Sequence, residues 1–271
     1  MIVFEKVSFT YPGAAGPALD DVSLSIEPGS VTLVTGGLGS GCSTLLLVAA
    51  GLAPHLIGGT LGGRALTLGV EVGTQAAHRQ IAGRVGLLLP TPWTQLSGVA
   101  FSVADEVAFG PANLGRPRDR IARAVERAMT RTGVSHLAGR DPTTLSGGEL
   151  QRVMLAGIIA LEPEVYLLDE PAVELDPDAA DAFYRMLPEL ARDAAVVIAT
   201  TDMDRAVEVA GRVVLLERGR CIAQGTPAEV LGAEATVLAG GSTTVAQIAH
   251  AAGLSAPFPL TPEELARRLG S

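Results

Sequence analysis

Three stretches of this 271-residue chain carry residues whose types and spacing could do chemistry. The first is an acidic pair, Asp169 and Glu170, that ends the apolar run Val165-Tyr166-Leu167-Leu168. At the end of a buried strand, one carboxylate can position a divalent cation and the other can polarise a water. The second is the loop Gly36-Gly37-Leu38-Gly39-Ser40-Gly41, followed by Cys42-Ser43-Thr44. Glycines there leave backbone N–H groups free to approach phosphate oxygens. The third is Leu145-Ser146-Gly147-Gly148-Glu149, with Leu175-Asp176-Pro177 downstream. A glycine pair ahead of a helix opens the backbone to phosphate in the same way, and Ser146 adds a hydroxyl donor. Alone, Ser-Gly-Gly reads more readily as a helix entrance. Its company with the acidic pair favours phosphate chemistry.

The elements that must position these residues follow from periodicity. Ile2–Phe9 and Val22–Ile26 are β-branched and alternating, so both read as strands. Val31–Thr35 is a short apolar strand that runs into the glycine loop, and Ser43–Gly51 continues as a helix. Strand, glycine loop and helix in that order make a phosphate loop credible. Helical spacing is expected over 119–132 and 147–161, then strand over 165–168, helix over 178–191 and strand over 195–200. Val213–Glu217 and Arg220–Gln224 read as a hairpin around Arg218-Gly219. Thr261-Pro262-Glu263-Glu264 reads as a capping box that opens a last helix. Strands alternating with helices predict an α/β fold with a mainly parallel sheet, and the helix-rich block at 90–160 predicts an inserted subdomain.

Bulk properties narrow the field. The formal charge is −9, which argues against a broad nucleic-acid surface, because phosphate backbones need clustered Lys and Arg. Two cysteines, Cys42 and Cys221, are too few for a disulfide-built domain and fit a reducing compartment. The four histidines are scattered, so no structural metal is expected. The start Met1-Ile-Val-Phe-Glu-Lys6 has no signal-peptide pattern. Residues 28–63 carry no Asp, Glu, Lys or Arg, yet glycines, Pro54 and several Ser and Thr break any run long enough to span a membrane.

The joined motifs resemble those of ATP-binding-cassette (ABC) ATPases over nearly the whole chain. Leu145–Glu149 is similar to the family's signature, Val165–Glu170 to its Walker B strand and Leu175-Asp176 to its D-loop. The resemblance implies an α/β P-loop NTPase core (RecA-like) with an antiparallel β subdomain and the inserted helical subdomain. It places the ABC ATPase domain at 1–235 and a short C-terminal helical extension at 236–271. ATP and Mg2+ are the implied cofactors. Tyr11 would meet adenine, 36–44 the phosphates, Ser43 and Asp169 the metal, and Glu170 the attacking water. Two cassettes would dimerise head to tail, so that Leu145, Ser146, Gly147, Gly148, Glu149 and Asp176 serve the partner's ATP. Finer features resemble the energy-coupling-factor (cobalt- and vitamin-type) importer branch: Val7-Ser-Phe-Thr-Tyr-Pro12, Gln95-Leu96, Glu106–Pro111 with Asn113-Leu-Gly115, and the tail 252–265. An integral membrane transporter subunit is then an implied partner, nucleic acid is not, and the chain would lie at the cytoplasmic face of the membrane.

Three positions depart from the family pattern. Cys42 stands where the P-loop Lys belongs, Pro90 where the Q-loop Gln belongs, and Thr201 where the switch His belongs. A charge-assisted hydrogen bond is worth about 1.5–3 kcal/mol, so losing the Lys should weaken ATP binding by about tenfold or more. Cys42 offers a weak donor at best, and as a thiolate, favoured at a helix N-terminus, it would repel phosphate. The only Lys in the chain is Lys6, on the first strand. The expectation is the degenerate half of a heterodimer whose partner cassette has a complete P-loop, with a homodimer left open. Whether the chain is itself an enzyme is not decided by these residues. A soluble ABC ATPase outside transport and a catalytically inactive scaffold stay as alternatives.

Overall fold

The computed structural model describes residues 1–270. The chain opens with β1 (Ile2–Thr10), β2 (Leu19–Ile26) and β3 (Val31–Thr35), then α1 (Cys42–Ala49). There follow β4 (Thr60–Thr67), β5 (Val70–Glu71), α2 (Gln75–Ile81) and β6 (Val85–Leu88). A helical block comprises α3 (Val103–Asn113), α4 (Arg118–Arg131) and α5 (Gly147–Ala160). The chain then alternates: β7 (Val165–Asp169), α6 (Pro177–Leu190), β8 (Ala195–Ala199), α7 (Met203–Ala206), β9 (Ala210–Glu217) and β10 (Arg220–Gly225). Four short helices end it: α8 (Pro227–Val230), α9 (Glu234–Leu238), α10 (Thr244–Ala251) and α11 (Pro262–Leu269).

The strands form two sheets. A six-stranded sheet runs β10-β9-β3-β8-β7-β6 in space, parallel except for the β9–β10 hairpin. A four-stranded antiparallel sheet runs β2-β1-β4-β5. This is the mixed α/β architecture expected, with its antiparallel β part. Strands β3, β7 and β8 are buried at every position, which is why they read as unbroken apolar runs.

Alternate residues of the parallel strands feed two cores. Val34, Leu167 and Val197 face α1 and the antiparallel sheet, where Phe4, Phe9, Leu45 and Leu46 are buried. Leu33, Leu88, Leu168 and Ile198 face the helical block, α6 and the C-terminal helices. Helix α5 buries Leu150, Val153, Met154, Leu155, Ile158 and Ile159 on that side. At about 1.5–3 kcal/mol per large apolar side chain, this helix contributes on the order of 10 kcal/mol before entropy.

Three features differ from the sequence expectation. Strands β4 and β5 and helix α2 fill a glycine-rich span that shows no clear period. Helix α3 runs through Gly110 and Pro111, which hide it. At α11, Thr261 does accept from the Glu264 N–H at 3.3 Å. The Glu264 carboxylate, however, takes the N–H of Leu260 at 2.7 Å instead of the cap residue's own, so the box closes one residue upstream.

Candidate functional site

The glycine loop is shaped by its surroundings. A Cβ on Gly36 would lie 2.1 Å from the Leu216 carbonyl oxygen, which leaves room for glycine alone. Gly41 caps α1 at φ +103°, and a Cβ there would lie 2.6 Å from the Ala18 oxygen. Between them the loop is stitched by Ser40 N–H to Gly37 O at 3.0 Å, while Leu38 projects fully into solvent.

The loop borders a cleft of about 510 Å³. Tyr11, Ala18, residues 36–44, Asp169, Glu170, Ala199, Thr200 and Thr201 line it. The structure thus brings together Tyr11, the loop, the acidic pair and Thr201. Among the described residues, its charged lining residues are Asp169 and Glu170 alone. Tyr11 stacks edge-on against Phe9 at 4.9 Å, and its hydroxyl meets Thr44 Oγ1 at 3.1 Å. The Ser43 hydroxyl donates to the Asp169 carboxylate, so these two oxygen groups converge and could hold a divalent cation. Burial pushes the Asp169 carboxyl above its ordinary range, with Ser43 opposing and Glu170 reinforcing that shift.

Glu170 is held tightly. Its backbone sits at φ +44° and its N–H donates to Ala199 O at 2.8 Å. Its carboxylate accepts from Thr200 Oγ1 at 2.9 Å and from the Thr201 N–H at 3.0 Å. Thr200 was not singled out by the sequence, although a Thr at the end of an apolar strand is a signal for such a contact. Asp202 caps α7 and pairs with Arg205 at 3.0 Å, so it too is occupied by the fold.

Of the two forms considered for Cys42, the structure favours the protonated one. Its thiol is not a thiolate: burial pushes it up to about 11, the Ser40 hydrogen bond opposes this, and Asp169 and Glu170 raise it further. The sulfur lies 3.2 Å from Ser40 Oγ. Burial, with the negative pair adding to it, outweighs the helix N-terminus here, so the group is a neutral, weakly polar thiol at physiological pH.

The remaining motif residues lie off this cleft. Pro90 follows β6, and the strand end is pinned by Gln95, whose Oε1 accepts from Leu89 N–H at 2.7 Å and whose Nε2 donates to Leu87 O at 2.9 Å. Leu145 is buried in the helical block. Ser146 caps α5 in a reciprocal box with Glu149. The Ser146 N–H and hydroxyl depress the Glu149 carboxyl, with Arg140 adding to the effect. Gly147 and Gly148 pack against Glu174, whose Oε2 would lie 2.4 Å from a Cβ on Gly147 and whose carbonyl oxygen 2.7 Å from one on Gly148. Asp176 caps α6 by accepting from the Ala179 N–H at 2.9 Å.

The fold and the cleft define a P-loop nucleotide-binding cassette. Residues 19–173 match the family model described as ABC transporter, and the chain belongs to the ABC transporter ATP-binding family. It is similar to the energy-coupling factor transporter ATP-binding protein EcfA of Methanothermobacter thermautotrophicus, with 37% identity over 232 residues, 85% of this chain and 72% of that protein. A protein of Streptomyces avermitilis, provisionally named an ABC transporter ATP-binding protein, is 37% identical over 274 residues. That match covers 100% of this chain and 47% of the relative, so the chain spans about half the length of the curated Streptomyces relatives it matches. Among solved structures, cbiO1 from Clostridium perfringens, part of the ABC transporter complex cbiONQ, superimposes with a TM-score of 0.75 at 30% identity. That match covers 93% of this chain and 98% of cbiO1. The chain is thus an ATP-binding cassette homologous to energy-coupling-factor ATPases.

Proposed function

We propose that this cassette works in an energy-coupling-factor-like transporter as the impaired half of a cassette pair. The observation that carries the reading is the charge of its cleft: two carboxylates and no cation where a triphosphate would sit. An ATP bound there would find backbone donors and Ser43, but no side chain to neutralise its γ-phosphate. Ser43 and Asp169 would hold Mg2+, which is the one source of positive charge the site admits. Pro90 and Thr201 offer neither a water-positioning amide nor a titratable phosphate sensor.

The loop Leu145–Glu149 lies outside the chain's own cleft, which supports a role toward a nucleotide held by another cassette, and Glu174, two residues before Asp176, packs against its glycines. The partner cassette, carrying a P-loop Lys, is either a second polypeptide or a further segment of a longer one. The Streptomyces avermitilis relative is about twice as long as the segment it shares with this chain. Trp93, Val99 and Phe101 are exposed between β6 and α3, as is Phe109 on α3 itself, and such an apolar surface fits an integral membrane subunit. Among the described residues no helix is long and apolar enough to cross a membrane, in keeping with a peripheral place at the cytoplasmic face. We place the cassette at 1–235, its helical subdomain at about 90–160 and the extension at 236–271. The test is ATP turnover by the isolated chain and by the complex with its partner cassette. The expected result is negligible turnover alone and Gly147-dependent turnover in the complex. Robust Glu170-dependent hydrolysis by the isolated chain overturns the reading.

A further inference from the structure

The helical block carries a positive site that shares no residue with the cleft. Between Arg116 and Arg131 lie six of the chain's twenty basic residues, with two acidic ones, Asp119 and Glu126, in a chain of formal charge −9. Arg116, Arg120, Arg123, Arg127 and Arg131 recur at the spacing of one helix face. Four of them, with Pro117 and Glu162, surround a concavity of about 390 Å³.

Their existing partners do not balance this charge. Arg116 is spent on the end of α5, donating to Leu161 O at 2.5 Å and Ala160 O at 3.3 Å. Glu162 bridges Arg127 at 2.5 Å and Arg116 at 3.5 Å. Arg123 pairs with Asp119 at 2.7 Å. The Arg120 side chain has no hydrogen bond or ion pair among the described residues, only its backbone N–H reaching Asp119, and its neighbours on the stripe are Arg116 and Arg123. Like charges at that spacing destabilise a helix, and Arg118 and Arg120 also stand in the first turn of α4, where cations are disfavoured. Arg131 is paired with Glu189 at 2.7 Å, and among the described residues the four arginines around the concavity share only Asp119 and Glu162 as acidic partners.

We propose that this concavity binds a compact phosphate-bearing anion, with Arg120 and Arg123 as its main donors and Arg116 and Arg127 at its rim. A single carboxylate would satisfy one guanidinium fork, whereas phosphate offers oxygens to several at once. A free oligophosphate and the phosphate headgroup of an anionic lipid present the same oxygens. The probe is inorganic pyrophosphate, titrated calorimetrically into the full chain at fixed low salt. Arg120→Glu is compared with Arg118→Glu, which changes the charge equally but lies off the concavity. The expected result is a loss of about tenfold or more in affinity for Arg120→Glu, with little change for Arg118→Glu. Equal losses would reduce the effect to diffuse charge. No loss in either would move the anion to the cassette cleft, and no binding to the unaltered chain would remove the site; each of these overturns the proposal. Flotation with phosphatidylglycerol and phosphatidylcholine vesicles separates the sources. Arg120-dependent flotation with the anionic vesicles alone assigns a lipid headgroup, and pyrophosphate binding without flotation assigns a free anion. Both variants alter exposed side chains, and matching thermal melts confirm that each is folded.

Discussion

Replacing Cys42 by Lys tests the electrostatic account of the cleft most directly. The position is the first residue of α1, and its side chain faces Ser40, Asp169 and Glu170. A cation at a helix N-terminus costs about 0.3–1 kcal/mol. Two nearby carboxylates offset that cost, so the variant should fold normally. Once ATP is present, one charge-assisted hydrogen bond to phosphate contributes about 1.5–3 kcal/mol. That range corresponds to an affinity gain of about ten- to hundredfold. Hydrolysis should not follow. The Glu170 carboxylate is still held by Thr200 and the Thr201 N–H, and on the proposed reading Pro90 and Thr201 would still lack the groups that orient water and sense phosphate. The assay pairs calorimetric titration of Mg-ATP at fixed ionic strength with steady-state phosphate release. Binding should tighten while turnover stays within about threefold of the parent chain. A folded Cys42→Lys variant with unchanged affinity would refute the charge argument. One with the turnover of a competent cassette would refute the claim that Thr201 and Pro90 matter.

Three further outcomes follow from the same geometry. The Cys42 thiol, raised to about 11, should alkylate with iodoacetamide about a hundredfold more slowly at pH 8 than a free thiol. Its rate should climb only as pH nears 11, and rapid labelling at neutral pH, read by peptide mass spectrometry, would contradict that value. Asp169 binds its proton more tightly folded than unfolded, so its contribution to stability falls as pH rises above the ordinary carboxylate range. Asp169→Asn should therefore stabilise the metal-free chain at pH 7 relative to the parent and lose that advantage near pH 4, measured by urea midpoints in the presence of a chelator. A variant less stable than the parent at pH 7 would reverse this sign. Gly148→Ala must push backbone at Glu174 and should cost about 1–3 kcal/mol in urea unfolding, whereas Gly147→Ala displaces only a carboxylate end and should cost less. In the assembled complex Gly147→Asp should nevertheless abolish ATP turnover while Cys42→Ala has a mild effect. Equal losses would mean that the cleft of this chain is needed after all.

The sequence made the parallel sheet and the phosphate loop readable because their residues obey simple rules. Strands buried on both faces are unbroken apolar runs, and the glycines sit between one such strand and a helix. The span from Thr60 to Ile81 stayed unread because its strands lie half exposed and are laced with glycine. Helix α3 was masked by Gly110 and Pro111 near its end. At the site, the identities of Cys42, Pro90 and Thr201 were visible, but not what their neighbours do. The hold of Thr200 on Glu170 joins residues 30 apart, and the protonated state of Cys42 comes first from its burial in the fold, with two carboxylates distant in sequence adding to it.

The crowding around Gly36 has a consequence for how such motifs age. Gly36 and Gly41 are confined by carbonyl oxygens of the chain itself, Ser146 and Asp176 each cap a helix, and Thr200 anchors a strand end. A mutation at any of these damages the scaffold whether or not nucleotide ever binds. On the function proposed above, Cys42, Pro90 and Thr201 differ, because the side chain a complete cassette would carry there serves the ligand. Drift under relaxed selection would thus erase a motif unevenly, removing the letters that touch substrate and sparing those that touch protein. A legible glycine loop is then a fossil of packing as much as a sign of catalysis, and the letters worth reading for activity are those the fold can spare.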